Sequence, residues 1–410
     1  MKIYQRLQKH ILADKGLVID LEKSKGSWII DKETGKRYLD LSSQYASQAL
    51  GWNHSGLISA KDRLMKVAFH KVANPDYYTE EYTQFVETFS SLIPDFKYSF
   101  FIDGGTLGVE NSIKCAFDFK AKLLGLNDNE VNKLDIIHFK RAFHGRSGYC
   151  CSITNTHPDK TNLFPKFNWT RIDNFDLSAI EMALKTNLVA GIILEPIQGE
   201  GGDNHCFSSD YLKTLKEMAD ENQSLLIFDE VQTGCGLTGK MWAYEHFNVI
   251  PDLLAFGKKV QVCGFSAGSK IDLIPDNVFK VPSRISSTFG GNIVDMVRFT
   301  IIAEIMKKEK LIENAAIVGE YFLNELKKLS LIQNVRGKGL MIAFDLENTE
   351  KRNKFLEILE ENMAILACGE KSIRIRPHLT LSKDDVDSAI HFIKKAIKKQ
   401  TSWFSWFSRK

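Results

Sequence analysis

The sequence lacks the long apolar runs and the cysteine patterns that mark membrane spans, disulfide frameworks and metal sites. None of its apolar stretches reaches the roughly 20 residues that cross a bilayer, and the first six residues contain no apolar signal core. The seven cysteines are scattered without a Cys-x-x-Cys pair, and the adjacent Cys150 and Cys151 are poorly placed for a disulfide or a metal. We therefore expect reduced thiols, no metal, no membrane association and a cytoplasmic protein.

An excess of charge of one sign is also missing. The chain has 54 Lys and Arg against 51 Asp and Glu, a net charge of +3. This charge is too small to predict a nucleic-acid partner. Apolar residues make up 44% and charged residues 26%, the balance of a globular protein. A length of 410 residues exceeds one ordinary hydrophobic core, so we expect two or more domains.

The middle of the chain alternates short apolar segments with helical periodicity. The apolar segments lie at residues 99–102, 135–139, 190–194, 224–228 and 253–256, and the predicted helices between them include 110–122 and 209–221. Strands that are apolar along their whole length are covered on both faces, so this pattern predicts an α/β fold around a mostly parallel sheet. Ahead of it, residues 28–30 and 38–41 flank a polar stretch and predict a β-hairpin.

The pattern changes after Asn292. Predicted helices at about 293–308 and 313–328 are followed by apolar segments at 339–344 and 372–376 and by a final helix at about 383–399. We expect a small α/β domain over 293–410, a large domain over 49–292, and an N-terminal segment, 1–48, that packs with the small domain. For the aromatic and basic tail, 403–410, we expect fraying or docking on a second subunit; contact with a membrane surface is the alternative.

Asp229 and Lys258 each follow an apolar segment of the predicted sheet, one strand apart. Ligands of such sheets bind beyond the carboxyl ends of the strands, which places both side chains at one crevice. Taken singly, Asp229 is typical of a helix cap and Lys258 of a solvated surface. Together they are the pair that a pyridoxal-phosphate (PLP) enzyme needs, an amine for the Schiff base and a carboxylate for the pyridinium nitrogen.

Two further segments suit the same cofactor. Asp103-Gly104-Gly105-Thr106 leads into a predicted helix, whose N-terminus offers free N–H groups to a phosphate. In Phe143-His144-Gly145-Arg146, the Phe143 ring could stack on a planar cofactor. Alone, the first segment is only a turn and Phe143 only a core residue. In the company of Asp229 and Lys258 they predict a PLP site.

In combination these segments resemble the class III aminotransferases, PLP enzymes of fold type I with a large and a small domain. The resemblance runs from Tyr38 to Pro377, and its motifs are Asp103–Thr106, Phe143–Arg146, Glu195–Gly202, Asp229–Gly234 and Lys258. Within the class, residues 255–264 and Ser287–Asn292 are similar to the L-lysine 6-aminotransferase group. Asp103 and His378 depart from residues that are common in the class.

The resemblance implies roles for the residues around the cofactor ring. Lys258, rather than its neighbour Lys259, holds PLP as a Schiff base. Asp229 pairs with the pyridinium nitrogen, and Gln232 bonds the 3-oxygen of the ring. Glu195 is expected to be structural, near the ring.

It also implies how the faces and the phosphate of the cofactor are held. Phe143 stacks on the ring, with His144 beside it. Gly105 and Thr106 bind the phosphate, which Thr288 of the neighbouring subunit also reaches. The expected assembly is therefore a homodimer with shared active sites.

For the substrates, the resemblance implies L-lysine and 2-oxoglutarate, converted to 2-aminoadipate 6-semialdehyde and glutamate. Arg146 would hold the distant carboxylate of lysine, and Arg374 the α-carboxylate of glutamate. Glu200 would cover Arg374 while lysine is bound. An arginine–carboxylate fork suits this recognition. Arg376, two residues from Arg374, is a rival for its role. Ser286 is expected near the substrate carboxylate.

Ser286 also keeps other amino donors open, because the lysine group often has Asn at this place. The alternatives are ornithine, a diamine or a β-amino acid. An aminomutase or racemase, which needs no keto acid, is a further alternative. So is a non-catalytic protein that kept the fold, although the presence of both Lys258 and Asp229 disfavours it.

Overall fold

The computed structural model describes residues 2–12, 16–173, 175–203 and 207–407, the last seven by their backbone. The strands are β1 (Trp28–Ile30), β2 (Arg37–Asp40), β3 (Tyr98–Ile102), β4 (Asp135–Phe139), β5 (Arg171–Ile172), β6 (Val189–Leu194), β7 (Leu225–Asp229), β8 (Leu253–Phe256), β9 (Cys263–Ala267), β10 (Gln333–Lys338), β11 (Met341–Asp345), β12 (Met363–Ala364), β13 (Leu366–Cys368) and β14 (Ser372–Ile375). The helices are α1 (Ile3–Leu7), α2 (Ser43–Ala46), α3 (Ser55–Ser59), α4 (Lys61–Ala68), α5 (Glu80–Ser91), α6 (Gly105–Leu124), α7 (Gly148–Ile153), α8 (Leu177–Leu184), α9 (Ser209–Glu221), α10 (Ile293–Lys308), α11 (Leu311–Lys327), α12 (Thr349–Glu360) and α13 (Lys383–Phe407).

A seven-stranded sheet forms the centre of the fold. Its order is β3-β9-β8-β7-β6-β4-β5. The neighbours from β8 to β5 pair in parallel, whereas β9 is antiparallel to both β8 and β3. The expected mostly parallel sheet of an α/β fold is confirmed. In this arrangement the carboxyl ends of β6, β7 and β8 share one edge.

Both faces of the central sheet are covered, which explains its continuously apolar strands. In β7, Leu225 and Ile227 belong to one buried cluster and Leu226 and Phe228 to another on the opposite face. The first cluster includes apolar residues of α6, which crosses this face of the sheet. Since alternate side chains of a strand point to opposite faces, a strand buried on both sides shows no polar alternation.

Two smaller sheets accompany the central one. An antiparallel sheet of order β10-β11-β14-β13 lies in the C-terminal third. The predicted hairpin is confirmed as β1 and β2, with Trp28 opposite Leu39. Its second strand also pairs in parallel with β12, through Leu39 and Met363. The N-terminal segment thus contacts the C-terminal third.

The predicted helices and strands lie close to their expected places. Helices α9 and α10 have the expected bounds, whereas α6 begins five residues earlier, at Gly105. Helix α10 packs against α5 from the N-terminal part of the chain and also against α11. The domain boundaries stay a prediction. The side chains of the tail, from 403 on, lie outside the described residues. Among the described helices, none has the length and apolar character needed to cross a bilayer.

Candidate active site

Asp229 and Lys258 lie at the carboxyl ends of adjacent parallel strands. Asp229 is the last residue of β7 and is opposite Ala255 of β8. Lys258 follows β8 after Gly257 and begins a 3-10 turn with φ +50°. The two groups are close enough for the carboxylate to favour the charged form of the amine. The structure therefore brings the predicted pair to one crevice.

The amine of Lys258 is largely buried and lies among charged groups. Its Nζ donates a hydrogen bond to the carbonyl oxygen of Tyr45 at 3.0 Å. Burial, followed by the positive charges of Arg374 and Arg376, lowers the pKa of Lys258 to about 8. An amine with this pKa is neutral in a sizeable fraction of molecules near pH 7.5, as a nucleophile and proton acceptor must be.

The carbonyl that Lys258 contacts belongs to a left-handed turn. All four residues of α2, Ser43–Ala46, have positive φ angles between 40° and 69°. This conformation costs roughly 1–2 kcal/mol per non-glycine residue, so the surroundings must hold it. Lys259, fully buried beside the cavity lysine, donates to the Ala46 carbonyl at 2.9 Å. Gln261 donates to the Ser47 carbonyl at 3.0 Å.

Asp229 is fixed by two neighbours. Its Oδ2 lies 2.8 Å from Nδ1 of His144, and its Oδ1 accepts the backbone N–H of Val231 at 3.1 Å. The second ring nitrogen of His144, Nε2, is buried without a hydrogen-bond partner in the described structure. A buried polar atom of this kind indicates a place for a polar group of a ligand.

Glu195 ties together two loops at the same edge of the sheet. Its carboxylate accepts the backbone N–H of Phe143 at 2.9 Å and that of Gly199 at 3.0 Å. Burial, opposed by His144 and reinforced by Asp229, raises the pKa of Glu195 to about 7. These contacts fix the backbone at Phe143 and Gly199; the structural role of Glu195 stays a prediction.

The N-terminus of α6 forms the other end of the crevice. Gly105 and Thr106 are its first residues, and their N–H groups have no partner within the helix. A Cβ on Gly105 would lie 2.8 Å from Val231, and one on Gly145 would lie 2.1 Å from Oγ1 of Thr106. Thr106 Oγ1 is also 2.9 Å from Ser147 Oγ. The glycines therefore keep an N–H cradle open.

A cavity of about 610 Å³ connects these parts. Its lining includes five predicted site residues: Gly105, Thr106, Phe143, Arg146 and Lys258. His144 and Asp229 are buried and are not part of this lining. An amine, a carboxylate, an aromatic ring and a helix N-terminus around one cavity fit a flat ring that carries an aldehyde, a ring nitrogen and a phosphate. The residues present thus fit PLP.

The structure distinguishes the two candidate arginines. The guanidinium of Arg376, about 1% exposed, forms an ion pair with the equally buried Asp203. Arg376 also donates to Oε1 of Gln232 at 3.2 Å and to the Ile342 carbonyl. Arg374 is 7% exposed, and its Nε has no acceptor among the described residues. Arg374 therefore has a donor to spare for a substrate, whereas Arg376 is engaged.

Glu200 has a partner that the sequence did not suggest. Its carboxylate forms an ion pair with Lys160, not with Arg374. The amine of Lys160 also lies 5.3 Å from the centre of the Phe143 ring. Lys160 follows Pro158 in a short turn of an irregular segment, and no spacing rule indicates that such a lysine returns to the site.

Thr288 and Ser286 are not brought to this cavity. Both are exposed, on the segment that precedes α10. Other residues of the crevice also escaped the sequence analysis. Asp203 and Ser147 contact predicted site residues, but each is a common polar residue in a loop. The α2 turn contains no glycine that would announce positive φ angles.

Comparison with known proteins gives one consistent family. The model of the class III aminotransferases matches residues 12–397. The L-lysine-epsilon aminotransferase of Streptomyces clavuligerus is 42% identical over 96% of this chain and 94% of its own. That of Mycobacterium tuberculosis H37Rv is 40% identical over 97% and 95%. A solved structure of the M. tuberculosis lysine aminotransferase superimposes with a TM-score of 0.93 and covers 97% of this chain and 99% of its own.

Proposed function

The chain belongs to the class III aminotransferases, and from that premise we propose that it transfers the terminal amino group of L-lysine to 2-oxoglutarate. The products are 2-aminoadipate 6-semialdehyde and glutamate. The relatives at 40–42% identity over nearly the full length support this choice of donor. The structural observation that carries it is the crevice of Lys258 and Asp229, with Arg146 in the cavity lining and Arg374 and the Lys160–Glu200 pair close to it.

The cofactor of this family is PLP, which when bound supplies an electron-withdrawing ring for the carbon that loses its proton. Lys258 would hold it covalently, and Asp229 would keep the ring nitrogen protonated. The Gly105 and Thr106 end of α6 would hold the phosphate. Gln232 and Phe143 would contact the ring oxygen and the ring face.

Proton transfer falls to Lys258. With its amine free, Lys258 would take the proton from the substrate carbon that bears the reacting amino group. The pKa of about 8 that burial gives the amine leaves it largely able to accept a proton under mildly alkaline conditions.

Two arginines would bind the carboxylates of the two substrates. Arg146 lines the cavity and would bind the α-carboxylate of lysine, far from the reacting amine. Arg374 has a free donor and would bind the α-carboxylate of glutamate or 2-oxoglutarate. Glu200 would cover Arg374 while lysine is bound, since lysine brings no carboxylate to that place.

We also propose a homodimer in which Thr288 reaches the cofactor phosphate of the other subunit. Thr288 is exposed and is not part of the cavity lining of its own subunit, as this role requires. The test combines two inactive proteins, Lys258→Ala and Thr288→Ala, in one mixed preparation. Recovery of activity in the mixture supports shared sites, because one site of a hybrid dimer is intact. No recovery, with hybrids present by mass, contradicts them.

For its location we propose the cytoplasm. Six cysteines in the described structure are free thiols, and all except Cys263 are buried. Unpaired thiols are typical of reducing compartments.

The function is tested with the purified protein and its cofactor. L-Lysine should convert the absorption band of the lysine-bound cofactor into that of its amine form, and 2-oxoglutarate should restore it. Ornithine, putrescine and β-alanine serve as competing donors, because Ser286 leaves other ω-amino compounds open. A faster conversion by one of these would contradict the choice of lysine. Turnover without any keto acid would indicate an aminomutase or racemase.

A further inference from the structure

Lys160 places a third cation near Arg146 and Arg374. Its amine contacts Glu200 and faces the Phe143 ring, and about three quarters of its side chain is covered. Burial, with the positive charges of Arg146 and Arg374, lowers the pKa of Lys160. These effects require Lys160 to lie near both arginines that the proposed function assigns to substrate carboxylates.

These four charged side chains can pair in two ways, and each pairing suits one of the two substrates. Arg146, Lys160 and Arg374 are positive and Glu200 is negative. With Glu200 on Lys160, two cations remain, one for each carboxylate of the keto acid. With Glu200 on Arg374, Arg146 binds the single carboxylate of lysine, and Lys160 remains against the Phe143 ring.

We propose that Lys160 is the alternative ion-pair partner that withdraws the Glu200 carboxylate from Arg374 and so admits the dicarboxylate substrate. Lys160 is thus a positioning residue for substrate choice. This inference rests on the proposed function, because it assumes that one site accepts both lysine and a dicarboxylate. The contact between Lys160 and Glu200 is the state that is ready for 2-oxoglutarate.

On this proposal the Glu200 side chain changes partner while its backbone stays in place. The Glu200 carbonyl accepts the N–H of Gly369 at 2.9 Å, which fixes the main chain. The side chain itself is 25% exposed, and Arg374 Nε has no acceptor among the described residues. When Glu200 leaves, the Phe143 ring still faces the Lys160 amine, and a cation over an aromatic face is a favourable contact.

The test compares Lys160→Met, Glu200→Gln and the double variant as holoenzymes. Calorimetry measures binding of glutarate, a dicarboxylate that cannot react, and single-turnover absorbance measures the two half-reactions. In Lys160→Met, Glu200 remains on Arg374, so glutarate should bind about tenfold more weakly or worse, and the KM of the keto acid should rise by a similar factor. The KM of L-lysine should change by less than about twofold.

The double variant separates positioning from direct contact. In Glu200→Gln, no anion competes for Arg374. Loss of Lys160 in this background should therefore weaken the binding of glutarate by less than about twofold relative to Glu200→Gln alone. A full tenfold loss in the double variant would overturn the inference, because Lys160 would then bind the dicarboxylate itself. Equal losses for lysine and the keto acid in Lys160→Met would overturn it too.

Lys166→Met is the matched control. Lys166 lies in the same segment, and its amine donates to Thr161 Oγ1 at 3.0 Å rather than to Glu200. This variant should leave the binding of glutarate and the KM values of both substrates unchanged. Failure of L-lysine to react with the wild-type protein would count against the proposed function, whereas the glutarate measurements would still report on Lys160 and Glu200.

Discussion

Nδ1 of His144 lies 2.8 Å from Oδ2 of Asp229, and both side chains are buried at the end of the central strand β7. The contact fixes the carboxylate in one orientation and leaves its other oxygen on the N–H of Val231. A carboxylate held in this way changes little in position when a cationic ring nitrogen arrives. The reorganisation that would otherwise slow the reaction is therefore small.

The first prediction concerns this carboxylate. Asp229→Asn keeps the size of the side chain and a hydrogen bond to His144 but removes the charge. We expect kcat to fall on the order of 10²–10³-fold, the cost of losing one charge-stabilising group, with little change in melting temperature. Steady-state kinetics and thermal unfolding measure the two quantities. Asp276→Asn, at an exposed site, is the control, and a fall of less than twofold at Asp229 would contradict the assigned role.

The second prediction concerns the cradle at α6. In Gly145→Ala, the new Cβ would lie 2.1 Å from Oγ1 of Thr106 at a φ of +107°, so Thr106 must move. We expect roughly 1–3 kcal/mol of strain and weaker PLP binding, measured by titration of the apoprotein. Gly125→Ala is matched, since its φ is +64° but nothing lies within 4 Å. Its PLP affinity should stay that of the wild type; equal losses in both variants would refute the steric explanation.

The third prediction concerns pH and stability. Burial lowers the pKa of Lys259 to about 7, against about 10.4 in an unfolded chain. Between these values the unfolded state binds more protons, so Lys259 makes the free energy of unfolding rise with pH by up to about 1.36 kcal/mol per unit. Lys259→Met removes this contribution. The stability of wild-type apoprotein relative to the variant should therefore increase from pH 7 to pH 9.

Urea unfolding at pH 7, 8 and 9 measures that difference. Lys258 and Lys120 also have lowered pKa values, about 8 each; both remain in the variant, so the effects of their own burial are common to the two proteins. Lys185→Met, at an exposed site, should give a curve parallel to the wild type. Parallel curves for Lys259→Met as well would show that Lys259 does not titrate in this range.

The fourth prediction concerns the buried ion pair beneath the site. Asp203→Asn leaves the guanidinium of Arg376 buried without its counter-charge. We expect a loss of about 3–5 kcal/mol in the free energy of unfolding. Glu181→Gln breaks the exposed pair with Lys185 and should cost about 0–1 kcal/mol. Melting temperatures compare the two, and similar values would exclude a structural role for the buried pair.

The sequence predicts those parts of the fold that rest on local patterns. Apolar strands such as β7 and the amphipathic helix α9 are visible because burial on both faces, or on one stripe, repeats at a fixed spacing. The ends of elements follow less directly. Helix α6 begins at Gly105 because the turn at Gly104 has a φ of +99° and then enters the helix directly, and glycines in a sequence do not reveal which of them carries that angle.

The candidate site divides in the same way. Asp229 and Lys258 follow strands, so the sheet topology places them. Lys160 and Asp203 depend on how loops return to the crevice, and their contacts with Glu200 and Arg376 are non-local. The competition between Arg374 and Arg376 was open for the same reason, since only the neighbours of each guanidinium distinguish a free donor from an occupied one.

The pairing of Leu39 with Met363 has a consequence for folding during synthesis on the ribosome. A ribosome at about 5–20 residues per second exposes the β1–β2 hairpin on the order of tens of seconds before β12 exists. During that interval one edge of β2 remains without its neighbour, a condition that invites association between nascent chains. The turn that contacts Lys258 follows directly after this hairpin. Because β2 receives its neighbour β12 only when nearly all of the polypeptide has been made, we expect the catalytic end of the crevice to take its final form late in synthesis.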